Sequence, residues 1–275
     1  MATTSSFSMR EHVHVKPSRY LGMIHVLILL WLSKSIVTNN NVISSFLTYP
    51  ETFKYVNEHA LVRGIVINNG FPGKLVTFEG IDGSGKTTIM NQLKEILGDN
   101  GIIYTKEPYQ FSGGALELKY PYQRLFRFME DHVLHLEEVI LPALREGKLV
   151  ICDRYIDSNL AYRCVDMGNA RNKYDAIIEW LEMLHDFSVW PYRTILFEIS
   201  PELAIERCKN KGEELATAQA EKLVDSYNNI ANYYNLRFCR INAAKDIESV
   251  TGKVVDIIQD VMYKMARSSD KNEEV

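Results

Sequence analysis

From Lys74 onward, short apolar runs alternate with longer amphipathic stretches. The runs Leu75–Glu79, Gly101–Thr105, Leu149–Asp153, Thr194–Ile199 and Arg237–Ile241 predict five strands. Between the first two, Ile89, Leu93, Ile96 and Leu97 fall on one helical face, which Gly98 closes as a C-terminal cap. Another helical pattern runs from about Tyr122 to Arg145, and a last one from Ile247 to Ala266. Ser200-Pro201-Glu202 reads as N-cap, proline at the first helical position and acid in the first turn. Strands alternating with helices mean βαβ units, and right-handed crossovers place the helices on both faces of an open sheet. The expected fold is α/β, three layers around five parallel strands.

Residues 1–73 read differently. They are rich in Ser, Thr and Asn, with turn-like clusters at Asn39-Asn40-Asn41 and Asn68-Asn69-Gly70. Their one apolar run, Tyr20 to Leu32, is too short for a bilayer span, which needs roughly 20 residues. Basic residues ahead of it and serines behind give a signal-peptide-like layout. A membrane-surface or packing helix, or non-native sequence upstream of the true start, accounts for it better, because the remainder has a cytosolic character. This gives an extension over 1–73, one domain over 74–266 and a polar tail over 267–275. Membrane contact is not expected.

Composition narrows the class. With 46% hydrophobic and 24% charged residues, the chain is not a disordered or low-complexity sequence. A net charge of −4 argues against a basic nucleic-acid binder. The four cysteines (Cys152, Cys164, Cys208, Cys239) form no CxxC pair, which fits neither a disulfide framework nor a zinc site and suits a reducing compartment. His12 and His14 make only a lone HxH.

Gly80-Ile81-Asp82-Gly83-Ser84-Gly85-Lys86-Thr87 fits GxxxxGK[ST], between an apolar strand and a helix. The glycines let successive backbone N–H groups turn inward on a phosphate, and the helix adds its positive N-terminal end. Lys86, read as a solvated loop lysine, would meet the outer phosphates, and the Thr87 hydroxyl would ligate Mg²⁺. The motif means nucleotide but not reaction. No guanine-reading NKxD follows a strand: Asn242-Ala243-Ala244-Lys245-Asp246 does not match. Instead, the third strand ends in Asp153-Arg154, an acid for the metal beside an arginine for a second phosphate. Two phosphate-binding features facing one crevice point to phosphoryl transfer between two nucleotides.

Taken with further motifs, the chain resembles thymidylate kinases, P-loop nucleoside-monophosphate kinases that pass the γ-phosphate of ATP to dTMP. The resemblance is carried by Phe78 to Thr88, Thr105-Lys106-Glu107-Pro108, Phe128 to His135, Asp153 to Tyr162, Pro201 to Arg207 and Ile241-Asn242-Ala243-Ala244. It implies a phosphate cradle over Gly80–Thr88, with Mg²⁺ on Thr87 and Asp153. It also implies a dTMP pocket. There Asp82 meets the sugar 3′-hydroxyl, and Lys106 and Arg154 meet the acceptor phosphate. Phe128 stacks on thymine, Ser158 and Asn159 take the base edge, and Tyr162 lies against the sugar 2′ position. A homodimer in the cytoplasm is implied as well.

Two positions depart from the family pattern. Four residues after Phe128, the family's base-binding arginine is replaced by His132, which offers one donor on a shorter side chain. His135 reads as structural. The lid segment, Arg207 to Ala216, lacks the family's arginine, leaving Arg207, Lys209 and Lys211 as candidate charges, with Lys211 taken as the catalytic one. These departures keep two rivals open. One is a kinase for another pyrimidine deoxynucleotide. The other is a non-catalytic nucleotide-binding regulator, against which the complete set Lys86, Thr87, Asp153 and Arg154 argues.

Overall fold

Leu75 packs into one buried apolar cluster and its neighbour Val76 into another, as the two-residue period of a strand requires. The computed structural model describes residues 70–110, 118–166 and 188–273, the last six as backbone alone. β1 (Lys74–Glu79), β2 (Ile102–Lys106), β3 (Leu149–Asp153), β4 (Arg193–Glu198) and β5 (Phe238–Asn242) form one sheet ordered β2-β3-β1-β4-β5. Every pairing is parallel. In register, Asp153 faces Phe78 of β1 on one side and Lys106 of β2 on the other, so three strands end along one edge.

Among the described residues the helices are α1 (Lys86–Leu97), α2 (Pro121–His135), α3 (Leu141–Arg145), α4 (Ile156–Asp166), α5 (Pro201–Asn210), α6 (Thr217–Tyr233) and α7 (Ile247–Glu273). A π-helical turn, Leu136–Ile140, joins α2 to α3. α1 and α7 cover one face of the sheet, through Ile89, Met90 and Leu93 against Val254, Ile258 and Val261. α2, α4 and α6 cover the other, through Leu125, Leu160, Leu223 and Ile230. Each large side chain buried in these layers contributes about 1.5–3 kcal/mol. Truncating a fully buried one such as Leu93 to alanine would cost about 2–5 kcal/mol.

The three-layer plan and its five parallel strands match the sequence reading, with most strand ends shifted by one residue. Ser200 does cap α5, its hydroxyl accepting from the Leu203 N–H at 3.3 Å. Ile96 differs: it is 54% exposed, because the buried stripe of α1 centres on Met90 and Leu93 and leaves Ile96 on its rim. α7 runs past Ala266 to Glu273, through most of the segment read as a tail. The run Tyr20 to Leu32, His12 and His14 lie outside the described residues. Among the described residues, no helix is long and apolar enough to cross a membrane.

The crossover from β1 passes over β3 to β2, and the crossover from β3 passes back over β1 to β4, so the connections leaving these two adjacent strands run in opposite directions. That opens a crevice at the carboxyl ends of the strands.

Candidate active site

The loop from β1 to α1 forms the first wall of this crevice. Gly80 and Gly83 have φ of 138° and 79°, and neither could carry a side chain. A Cβ at Gly83 would stand 2.4 Å from the Ala204 carbonyl oxygen of α5, and one at Gly80 would stand 2.8 Å from that of Phe197. Gly85 is the N-cap of α1, in the left-handed region. Lys86 is not a solvated loop lysine: it is buried, and its ammonium donates to the carbonyls of Gly80 and Ile81, both at 2.9 Å, and to Ser84 Oγ at 3.0 Å. Burial, then the Arg154 charge, pushes that ammonium down to about 7 against the pull of Asp153, Asp82 and Glu79. Thr87 and Thr88 are exposed at the head of α1.

Thr87 Oγ1 donates to Asp153 Oδ2 at 2.7 Å. The other carboxylate oxygen, Oδ1, is buried with no hydrogen-bond partner. A hydroxyl and a carboxylate converging beside an unpartnered oxygen fit a small, hard, oxygen-seeking divalent cation. Among the described residues no cluster of three His, Cys, Asp or Glu exists to enclose a metal, so a cation here would complete its shell with phosphate oxygens and water.

Opposite the loop lies a cavity of about 240 Å³, walled by Asp82, Phe128, Arg154, Asn159, Tyr162 and Arg163 among others. Arg154 is its main cation. Its backbone sits at φ 69°, a strained region for a non-glycine residue, fixed by its own N–H donating to the Phe78 carbonyl at 2.9 Å. The guanidinium donates through Nη2 to Asp82 Oδ1 at 2.5 Å and through Nη1 to the Gly80 carbonyl at 3.2 Å. Tyr162 donates to the other Asp82 oxygen at 2.9 Å. Burial raises the Asp82 pKa, but Arg154 and Lys86 outweigh it and hold the carboxyl below its usual range.

Phe128, Asn159 and Tyr162 thus share one cavity with Asp82 and Arg154. Asn159 Nδ2 also contacts Met129 Sδ at 3.2 Å. Ser158 borders the cavity, but its hydroxyl is engaged by Glu79, Tyr227 and Arg154. Lys106 is exposed at the end of β2 and is not among the residues that wall the cavity.

His132 falls elsewhere than the sequence suggested. It is 1% exposed and absent from the cavity wall. Its Nδ1 lies 2.9 Å from Glu107 Oε1 and its Nε2 lies 2.7 Å from Ser188 Oγ, so both ring nitrogens are spent inside the protein. His135 is structural: its Nδ1 shares the same Glu107 oxygen at 3.0 Å, its Nε2 meets Thr105 Oγ1 at 2.7 Å, and Tyr109 stacks on its ring. Burial opposes ionisation of Glu107, yet the two histidines prevail and draw its carboxyl down to about 2. Asp131 accepts the N–H groups of Tyr109 and Gln110, fixing the loop beyond β2.

The lid lysines stand apart. Lys209 lies in the last turn of α5 and Lys211 just beyond it; both are exposed and border neither this cavity nor the larger one beside Gly80 and Asn242. Arg207 donates to the Ala243 carbonyl at 3.0 Å.

Sequence reasoning gave no role to Glu79, Glu107, Asp131, Arg163 or Tyr227. Glu79 did carry a signal, since a carboxylate ending an apolar strand needs dedicated partners when buried. The spacing of Ala220, Leu223, Tyr227 and Ile230 would likewise have revealed α6.

A glycine-rich loop with its lysine, a metal-competent Thr–Asp pair and a second, arginine-centred pocket at the switch point of a five-stranded parallel sheet define a P-loop nucleoside-monophosphate kinase. The Thymidylate kinase family model matches residues 78–254. A probable thymidylate kinase of Methanosarcina mazei is 35% identical over 207 residues, 70% of this chain and 99% of that protein. The thymidylate kinase of Wolbachia pipientis subsp. Culex pipiens is 35% identical over 67% of this chain and 95% of its own length. That of Staphylococcus haemolyticus is 32% identical over 66% and 96%. The chain belongs to the thymidylate kinase family.

Proposed function

We propose that the protein transfers the γ-phosphate of ATP to dTMP, giving dTDP and ADP, as a homodimer in the cytoplasm. The observation that carries this reading is the position of Arg154, which donates both to the Gly80 carbonyl of the phosphate loop and to Asp82 of the acceptor cavity. One guanidinium therefore touches both halves of the crevice, where a donor and an acceptor phosphate would meet. In this reading ATP lies along Gly80–Thr88, with Lys86 leaving its loop carbonyls for the phosphates. Phe128 takes the base face, Asn159 a base edge, Tyr162 the sugar, and Lys106 approaches the acceptor phosphate from the end of β2. Thr87 and Asp153 would hold Mg²⁺, which when bound neutralises charge on the phosphoryl oxygens. Catalysis is then positioning and charge stabilisation, without a covalent intermediate.

The lid charge would come from Lys211, assisted by Lys209, once the segment after α5 folds over the loop. The exposed Tyr122 and Phe126 on α2 offer an apolar face for a second copy. A coupled ADP-release assay across a panel of nucleoside monophosphates tests the reading. Turnover of dTMP well above all others supports it. Preference for another pyrimidine deoxynucleotide, or absence of turnover, overturns it.

A further inference from the structure

Glu79 is the last residue of β1, fully buried, and ends the strand just before the phosphate loop. Its Oε1 accepts the N–H groups of Tyr155 and Ser158, at 2.9 and 3.2 Å, which lie at the start of α4. Its Oε2 meets the Ser158 hydroxyl at 2.5 Å and the Tyr227 hydroxyl of α6 at 3.2 Å. Ser158 and Tyr227 are 2.8 Å apart, and both accept from Arg154 Nη1, at 3.2 and 3.4 Å. One carboxyl thus ties the strand that feeds the donor loop to the helix that carries Asn159 and Tyr162 and to the helix that follows the lid.

We propose that Glu79 is a positioning residue, which through Ser158 and Tyr227 holds α4 and the Arg154 guanidinium in the geometry that receives the acceptor phosphate. A residue serving only to fill the core would not need four polar partners, and hydrocarbon would fill the space at lower desolvation cost. Burial, then the charge of Asp157, pushes this carboxyl well up from its ordinary value, which favours the neutral acid. Glutamine copies that form: its oxygen keeps the two N–H groups, and its amide donates to the hydroxyls, which can accept.

The inference rests on the dTMP kinase reading, and steady-state kinetics of the full chain separates the two. Tyr227→Phe should raise KM for dTMP about three- to tenfold, the worth of one buried hydrogen bond, with KM for ATP within twofold. Glu79→Met should raise it more, and Glu79→Gln should stay within twofold of wild type. Unchanged KM for dTMP in a folded Tyr227→Phe, equal rises for both substrates, or a Glu79→Gln as damaged as Glu79→Met would each overturn the role. If Glu79→Met does not fold, the other two variants decide. If the wild type fails to phosphorylate dTMP, the functional reading falls by itself, and the variants are read with the monophosphate that is turned over.

Discussion

Thr87 at the head of α1 and Asp153 at the end of β3 are 66 residues apart in sequence and joined by a 2.7 Å hydrogen bond. That bond occupies one carboxylate oxygen and leaves the other buried without a hydrogen-bond partner beside the phosphate loop. The pair exists because β1 and β3 are adjacent and parallel and end together.

Asp153→Asn should therefore spare the fold and weaken metal use. The amide keeps an oxygen for Thr87 but loses the charge that a divalent cation requires. The Mg²⁺ concentration for half-maximal activity should rise about 10–100-fold. Titration of activity with Mg²⁺ gives the answer, and an unchanged midpoint would remove Asp153 from the metal site.

His132→Asn should cost stability rather than substrate affinity. It breaks the buried contacts to Glu107 and Ser188, a loss of about 1–3 kcal/mol. Denaturant unfolding should report that loss, with KM for dTMP within twofold. A large rise in KM with unchanged stability would return His132 to the base.

Glu107 predicts an acid-sensitive fold. Its carboxyl is drawn down to about 2, below the ordinary 4.5, so its contribution is complete above pH 4.5 and fades as pH falls toward 2. The shift corresponds to about 3 kcal/mol. Glu107→Gln should lie well below wild type in stability at pH 6, and the gap should close toward pH 2. A gap that does not narrow on acidification would mean that the charge is not what holds the two histidines.

The double variant Lys209→Ala, Lys211→Ala should lower kcat with little change in KM for dTMP, the pattern of a contact made mainly in the transition state. A full arginine finger is worth about 10³–10⁵ in rate, and lysines, lacking the bidentate fork, should account for less. Retention of kcat would rule both out as lid charges.

The strands, the phosphate loop and its lysine, and the Asp153-Arg154 pair were legible in the sequence. Each rests on a local rule: the period of side chains in strand or helix, or the need for glycine where the backbone curls. The resemblance likewise located Phe128, Asn159 and Tyr162, which α2 and α4 bring to one cavity with Asp82. His132 shows where such reading stops. Its spacing from Phe128 put both on one side of a helix, but only the packing of α2 against the loop after β2 set Glu107 next to His132 and turned it inward. Glu79 and Tyr227 are 148 residues apart, and no sequence period links them. Their contact was decided by tertiary structure, because a carboxyl buried at the end of a central strand must find its donors on whatever elements pack over it.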